Sequence, residues 1–82
     1  MRVEFELPDI GAEAGDKIVV AFWHVEEDEE FVEGSDLMEV STNKATFNIS
    51  APSTGKLIEI LVQEGDPVEP GDAIAIIDTE DN

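Results

Sequence analysis

Residues 38–49 read Met-Glu-Val-Ser-Thr-Asn-Lys-Ala-Thr-Phe-Asn-Ile and contain two apolar–polar alternating segments around a polar centre. Apolar residues occupy positions 38 and 40 of the first segment and positions 47 and 49 of the second. Alternation with a period of two residues is typical of a half-buried β-strand. Because asparagine tolerates the left-handed backbone conformation, we predict a hairpin that closes through a tight Asn43-Lys44 turn.

Short apolar segments separated by turn-forming residues also make up the rest of the chain, which predicts further strands. The one acidic run, from Val25 to Phe31, lacks an apolar stripe, so we expect a charged loop there and not a helix. The predicted turns are Pro8-Asp9-Ile10-Gly11, Gly15-Asp16, Glu33-Gly34-Ser35-Asp36, Pro52-Ser53-Thr54-Gly55, Gly65-Asp66-Pro67 and Pro70-Gly71-Asp72.

An internal repeat indicates how the strands pack. Residues 32–40 resemble residues 68–76 at an offset of 36, and residues 23–25 match residues 60–62 if the acidic loop of the first copy holds one extra residue. One copy alone would leave its apolar face in water, so two facing copies are expected to share a core. We predict a single all-β domain over residues 1–82, a flattened barrel or sandwich of two short, pseudo-two-fold-related antiparallel sheets.

The alternation also predicts the core, and Gly34 and Gly55 are expected to permit the turns that lead to and from the hairpin. The expected core residues are Val3, Phe5, Ile18, Val20, Trp23, Val32, Met38, Val40, Phe47, Ile49, Ile58, Ile60, Val68, Ile74 and Ile76.

Lys44 has a distinctive place in this scheme. At the offset of 36 its counterpart is Glu80, next to the chain end, so Lys44 is expected at the pole opposite the termini. A lysine on an exposed turn extends its amine into solvent on a flexible four-carbon stem. Such a residue suits an attachment point better than a catalytic group.

The composition excludes several functions. Twenty-one acidic residues against four basic ones give a net charge of −17, so nucleic acid would be repelled and a basic partner surface is the natural complement. No apolar run is long enough to span a bilayer, and the N-terminus lacks the features of a signal peptide. There is no cysteine, so disulfides and thiolate chemistry are excluded. We expect no membrane or nucleic-acid partner and a soluble, monomeric domain.

Three segments resemble the lipoyl domains of 2-oxo acid dehydrogenase acyltransferase (E2) subunits, in the biotinyl/lipoyl-attachment family. Residues 5–11 (FELPDIG) are similar to the opening strand and turn of those domains, and residues 50–65 resemble the segment after the modification hairpin. Residues 39–45 (EVSTNKA) resemble the hairpin itself, usually Glu-Thr-Asp-Lys-Ala, which aligns the modified lysine with Lys44. The likeness covers nearly the whole chain.

The resemblance implies a carrier that catalyses nothing itself. A lipoate ligase or transferase would join lipoic acid to Lys44 through an amide, and the arm would carry acyl groups among the E1, E2 and E3 components. Hairpin recognition would fall to Ser41, Thr42, Asn43 and Ala45. Biotinyl domains carry methionine on both sides of the lysine, so biotin fits less well. The implied location is the cytoplasm, or the mitochondrial matrix in a eukaryote.

The hairpin departs from the family motif at two acidic positions, which here are Ser41 and Asn43. An unmodified interaction module of the same fold is therefore an alternative. A further departure is the acidic run 26–30, where the family has a Gly-Asp turn. The resemblance places this loop near the hairpin, where its carboxylates could replace the lost charge.

Two other functions fit the sequence less well. The sequence Gly34-Ser35-Asp36-Leu37 resembles the phosphopantetheine site of acyl carrier proteins, but with serine and aspartate reversed and in a chain of strands and not helices. An enzyme would have to use His24, the single histidine, and a lone strand histidine is more often structural. No acid pair or EF-hand spacing indicates a general acid/base site or a specific metal site.

Overall fold

The computed structural model describes residues 1–11 and 16–79, and these residues form strands, turns and loops. In chain order the strands are β1 (Arg2–Glu6), β2 (Ile18–Trp23), β3 (Glu30–Phe31), β4 (Asp36–Ser41), β5 (Thr46–Ser50), β6 (Gly55–Ile60), β7 (Pro67–Val68) and β8 (Ala73–Thr79). They form two four-stranded antiparallel sheets, ordered β1-β8-β6-β3 and β5-β4-β2-β7. The predicted all-β sandwich of two short sheets is confirmed. Within the described ranges there is no helix long and apolar enough to cross a membrane.

The two sheets are related by a repeat of 37 residues. The Gly65 amide donates to the Val20 carbonyl at 2.8 Å, and the Asp28 amide donates to the Leu57 carbonyl at 2.6 Å. The same offset of 37 separates Val20 from Leu57 and Asp28 from Gly65. The predicted pseudo-two-fold relation is therefore present, but the offset of 36 and the extra residue in the acidic loop were wrong.

The difference of one residue between the predicted and the observed offset explains why Val32 is not in the core. Val68 on β7 pairs with Ile18, and its counterpart on β3 is Phe31, which pairs with Gly55. Phe31 is buried, whereas the side chain of Val32 is 62% exposed. The predicted offset matched Val32 with Val68. Val32 was therefore expected in the core in place of its neighbour Phe31.

Each of the four long inner strands contains a β-bulge, which moves side chains out of strict alternation. The extra residues are Ala21 in β2 and Ile58 in β6, Leu37 in β4 and Ile74 in β8. These are again two pairs separated by 37 residues. A bulge puts two residues opposite one, so the strand bends and the burial pattern changes phase. Leu37 and the following Met38 are consequently both buried.

The core therefore agrees only in part with the prediction. The predicted placement of Val3 in the core was also wrong. Val3 is 37% exposed on edge strand β1, beside a surface groove. Expected core residues that are buried are Ile18, Val20, Met38, Val40, Ile49, Val68 and Ile74. Expected core residues that are half-buried are Phe5, Trp23, Phe47, Ile58, Ile60 and Ile76. Buried apolar residues that are absent from the expected core are Leu7, Val25, Phe31, Leu37, Ala51, Leu57, Ala75 and Ile77.

The two ends of the described chain meet at one end of the molecule. The Thr79 amide donates to the Met1 carbonyl at 2.9 Å, and the Met1 ammonium donates to the Asp78 carboxylate at 2.8 Å. Because β1 and β8 are neighbours in one sheet, the start and the end of the fold emerge side by side. The proposed counterpart of Lys44, Glu80, lies outside the described residues, as does Gly15 of the predicted Gly15-Asp16 turn.

Candidate functional site

The hairpin between β4 and β5 is a tight turn over residues 42–45. Ser41 pairs with Thr46 across the last ladder position before the turn. The Thr42 amide donates to the Ala45 carbonyl at 2.8 Å. The Thr42 hydroxyl then accepts hydrogen bonds from the amides of Lys44 and Ala45, at 3.1 and 3.2 Å. One side chain thus satisfies two backbone donors of the turn.

The turn does not use the backbone geometry expected from Asn43. Among the described residues other than glycine, only Asp28 has a positive φ, so Asn43 is not left-handed. A two-residue turn of type I′ requires positive φ at both central residues. The Thr42 hydroxyl instead takes the place of the backbone carbonyl that would normally accept from the fourth residue of the turn. The predicted Asn-Lys turn is present, but the reason given for it was wrong.

Lys44 lies at the outermost position of this turn and is exposed, like Asn43 and Ala45 on either side of it. Ser41 and Thr42, at the base of the turn, are half-buried. The strand that leads into the turn is anchored by Val40, whose side chain is fully buried. The hairpin therefore presents a lysine on a short, well-anchored support.

The hairpin tip lies at the opposite end of the molecule from Met1 and Thr79. The far end of the hairpin ladder is the Asp36–Ser50 pair. Just beyond it, Glu33 and Ser53 border the same groove as Met1. The six residues of β4 span about 20 Å at the usual rise per residue, so the hairpin tip and Met1 are separated by a distance of about this size. The molecule is elongated, with a longest extent of 37 Å.

The two glycines singled out from the sequence have different roles. Gly34 has φ +86° in the turn before β4, where glycine adopts this conformation without strain. Gly55 does not have a positive φ and is the first residue of β6. A Cβ atom at Gly55 would overlap the backbone carbonyl oxygen of Asp78. Its expected role as a turn residue was therefore wrong, because the position requires glycine for the close approach of β6 and β8.

The acidic loop 26–30 does not lie beside the hairpin. The Glu27 carboxylate accepts a hydrogen bond from the Ile60 amide at 2.9 Å, and the Leu57 amide donates to the Glu29 carbonyl at 2.9 Å. Both contacts place the loop along β6, in the sheet opposite the hairpin. The counterpart of the loop under the 37-residue repeat is the turn 63–67, which packs against β2. The expectation that these carboxylates replace the hairpin's missing charges was wrong.

His24 is the residue that an enzyme would have to use for catalysis, and its contacts are those of a structural residue. Its Nε2 atom lies 2.8 Å from the Glu39 carboxylate, and its ring meets the Phe22 ring edge-on with centroids 5.0 Å apart. Within the described ranges no three His, Asp or Glu side chains are grouped so that they could hold a metal ion. Neither Phe22 nor Glu39 was singled out from the sequence. Phe22 could not have been, because the bulge at Ala21 turns it outward and no sequence signal marks that bulge.

Comparison with known proteins identifies the family. A family model described as "Biotin-requiring enzyme", of the biotin/lipoyl type, matches residues 3–77. The chain belongs to the biotin/lipoyl attachment family. It is 37% identical over 78 residues to the dihydrolipoyllysine-residue acetyltransferase component of the Bacillus subtilis pyruvate dehydrogenase complex, covering 95% of this chain and 17% of that protein. The corresponding component of Staphylococcus aureus (strain Mu50) is 36% identical over 81 residues, covering 99% of this chain and 19% of that protein.

Two solved structures share the fold of this biotin/lipoyl attachment domain. The lipoyl domain of the Azotobacter vinelandii 2-oxoglutarate dehydrogenase complex has a TM-score of 0.72 and 24% identity, with 93% of this chain and 95% of that chain covered. A single-chain, multi-domain long-chain acyl-CoA carboxylase has a TM-score of 0.78 and 17% identity, covering 99% of this chain and 7% of the other. The chain is homologous to E2 lipoyl domains, and it spans less than a fifth of the acetyltransferase components that it matches. The strand-built fold contradicts the acyl-carrier alternative, which required helices.

Proposed function

We propose that this domain is a lipoyl carrier in which Lys44 is joined through an amide to lipoic acid. The observation that supports it most directly is the placement of Lys44. It is an exposed lysine at the tip of a tight hairpin, at the end of the molecule away from Met1 and Thr79. Homology to acetyltransferase components of pyruvate dehydrogenase complexes favours lipoate over biotin.

The hairpin fits a covalently attached group because it leaves the lysine on the surface while fixing the backbone beneath it. The amides of Lys44 and Ala45 are both held by the Thr42 hydroxyl. When bound, the dithiolane of lipoic acid supplies reversible acyl transfer and redox chemistry. The residues of this domain present the arm and hold its base in one orientation.

The carrier role also implies what the domain contacts. Partners would be a lipoate ligase or transferase and the E1, E2 and E3 components of a 2-oxo acid dehydrogenase complex. A tethered arm acts by raising the effective concentration of its group at each partner site, and it requires no catalytic group of its own. With a net charge of −17 the domain would meet partners through basic surfaces and would repel nucleic acid. We place it in the cytoplasm, or in the mitochondrial matrix of a eukaryote, as a monomeric unit.

Incubation with a lipoate ligase, ATP and lipoic acid tests the proposal. Intact mass spectrometry should show the gain of one lipoyl group in the native protein and none in Lys44→Arg. Lys17→Arg and Lys56→Arg are matched controls and should still gain the group. Modification by a biotin ligase alone would convert the proposal to a biotin carrier. Failure with both ligases would favour the unmodified interaction module, for which Ser41 and Asn43 are the supporting residues.

A further inference from the structure

One side of the hairpin sheet carries an exposed aromatic ring. The Phe22 side chain is 48% exposed on the outer face of β2. The other four aromatic residues of the chain, Phe5, Trp23, Phe31 and Phe47, are all buried in the core or packed against it. An isolated exposed apolar residue is ordinary on a protein surface. The residues around Phe22 are what distinguish it from an ordinary exposed apolar residue.

The Phe22 ring is held in place by its neighbours. It meets the His24 ring edge-on at 72°, and His24 in turn lies 2.8 Å from the Glu39 carboxylate. Phe22 and Glu39 are also directly opposite each other in the β2–β4 ladder. We refer to Phe22, His24 and Glu39 as the Phe22 face. A ring that is already ordered loses little conformational entropy when a partner covers it.

The fold itself does not require this face. Under the 37-residue repeat the counterparts of Phe22 and Glu39 are Glu59 and Ile76, which are likewise opposite each other in the β6–β8 ladder. Glu59 is exposed, so the same backbone position accepts a charged side chain in the other sheet. An aromatic at position 22 is therefore not explained by packing.

The Phe22 face lies in the same sheet as the attachment hairpin and shares strand β4 with it. Glu39 is two residues before Ser41 on β4, which puts the face on the order of 15 Å from Lys44 at the usual rise per residue. The accessible surface of the whole domain is 4946 Å². A specific protein–protein interface covers about 800 Å² on each partner, far more than a four-residue turn exposes.

We propose that the Phe22 face is a docking surface for the enzyme that lipoylates Lys44, which would contact the Phe22 ring with an apolar residue bordered by basic residues. The inference rests on the proposed lipoyl-carrier function. Before an arm is attached, the modifying enzyme must bring its active site up to Lys44 itself. Its contact area therefore extends onto the neighbouring sheet face. The charge of −17 and the Glu39 carboxylate make a basic surface the complementary one.

The test is the steady-state kinetics of lipoylation by a purified lipoate ligase. Phe22→Thr replaces the ring with a β-branched residue that strands favour. It should lower kcat/KM by about tenfold, mainly through KM, as for loss of one central aromatic contact. Phe22→Leu should retain most of the efficiency. Val32→Thr is the matched control, because Val32 is also exposed but lies away from the hairpin, and it should change kcat/KM less than twofold.

Thermal melts of each variant separate binding from folding, and amide chemical-shift mapping with the ligase gives an independent readout. Shifts at residues 20–24 and 39 together with 41–46 support the inference. Shifts confined to the hairpin, or equal kinetics of Phe22→Thr and the native protein, overturn it while leaving the carrier function intact. Self-association that Phe22→Thr abolishes would also overturn it, in favour of a second copy as the occupant. A native protein that the lipoate ligase does not modify would instead count against the lipoyl-carrier function itself.

Discussion

Asp28 occupies in one half of the molecule the place that Gly65 occupies in the other. Asp28 has φ +73° and Gly65 has φ +91°, and each donates its amide to the central strand residue of its own sheet, Leu57 or Val20. Glycine adopts this left-handed conformation without steric cost, whereas an L side chain pays about 1–2 kcal/mol, with aspartate at the low end. The acidic loop is therefore a strained version of the turn at 63–67.

Asp28→Gly should stabilise the domain by about 0.5–1 kcal/mol, because relief of the left-handed strain exceeds the added entropy of glycine in the unfolded chain. The reciprocal Gly65→Asp should destabilise it by about 1 kcal/mol. A Cβ at Gly65 would meet nothing within 4 Å, so steric overlap does not contribute to this loss, and the added carboxylate adds repulsion in the same direction. Urea unfolding followed by Trp23 fluorescence measures both variants. A loss of stability in Asp28→Gly would show that the carboxylate stabilises the loop more than its backbone strains it.

The sequence was sufficient for the class of fold and for the existence of a repeat. It was insufficient for the offset of that repeat and for the burial changes that the bulges cause. Period-two alternation found strands β4 and β5 and the hairpin between them, because those side chains face one core. It missed Leu37 and Leu57, since an extra residue in a strand shifts the phase without leaving a signal in composition. For the same reason, the alternation did not predict that the Phe22 side chain faces outward.

The candidate site was predictable at Lys44 only through its position between two alternating strands and its resemblance to a family. The role of the Thr42 hydroxyl depends on atomic geometry that no spacing reveals. The position of loop 26–30 was not predictable either, because it depends on which sheet accepts its hydrogen bonds.

Gly55→Ala should destabilise the domain by about 3 kcal/mol. Its methyl group would collide with the Asp78 carbonyl oxygen, which belongs to the neighbouring strand and cannot move without disturbing the ladder. Gly34→Ala is the matched control, where the space is open and only the positive φ opposes a side chain. That variant should lose about 1 kcal/mol. Equal losses in the two variants, measured by urea unfolding, would contradict the steric role of Gly55.

Thr42→Val should loosen the attachment turn, because it removes the hydroxyl that accepts from the amides of Lys44 and Ala45. Two partly exposed hydrogen bonds are worth about 1 kcal/mol together. Amide hydrogen exchange at residues 44 and 45 should quicken, and the rate of lipoylation should fall severalfold. Thr42→Ser keeps the hydroxyl and should behave like the native protein. Unchanged exchange in Thr42→Val would mean that the strand ladder alone holds the turn.

The carboxylate of Asp78 is expected to stabilise the folded domain, although the negative charges of this domain otherwise repel one another. Its hydrogen bond from the Met1 ammonium, 2.8 Å long, holds the pKa of the Asp78 carboxyl below its ordinary value of 3.8, with Arg2 and Lys56 contributing. A carboxyl whose pKa is lower in the folded state stabilises that state above its unfolded pKa, near pH 4. This contribution disappears as the pH falls through the folded-state pKa.

Asp78→Asn should therefore be less stable than the native protein at pH 7, and the difference should vanish once the pH is below the folded-state pKa of Asp78. Glu64→Gln is the control: it removes one exposed carboxylate from a chain with a net charge of −17, so it should be neutral or stabilising at pH 7 through reduced repulsion. The free energy of unfolding, measured in urea across this pH range, distinguishes the two. If Asp78→Asn were as stable as Glu64→Gln at pH 7, general repulsion would outweigh the contact between Asp78 and the chain's own amino terminus.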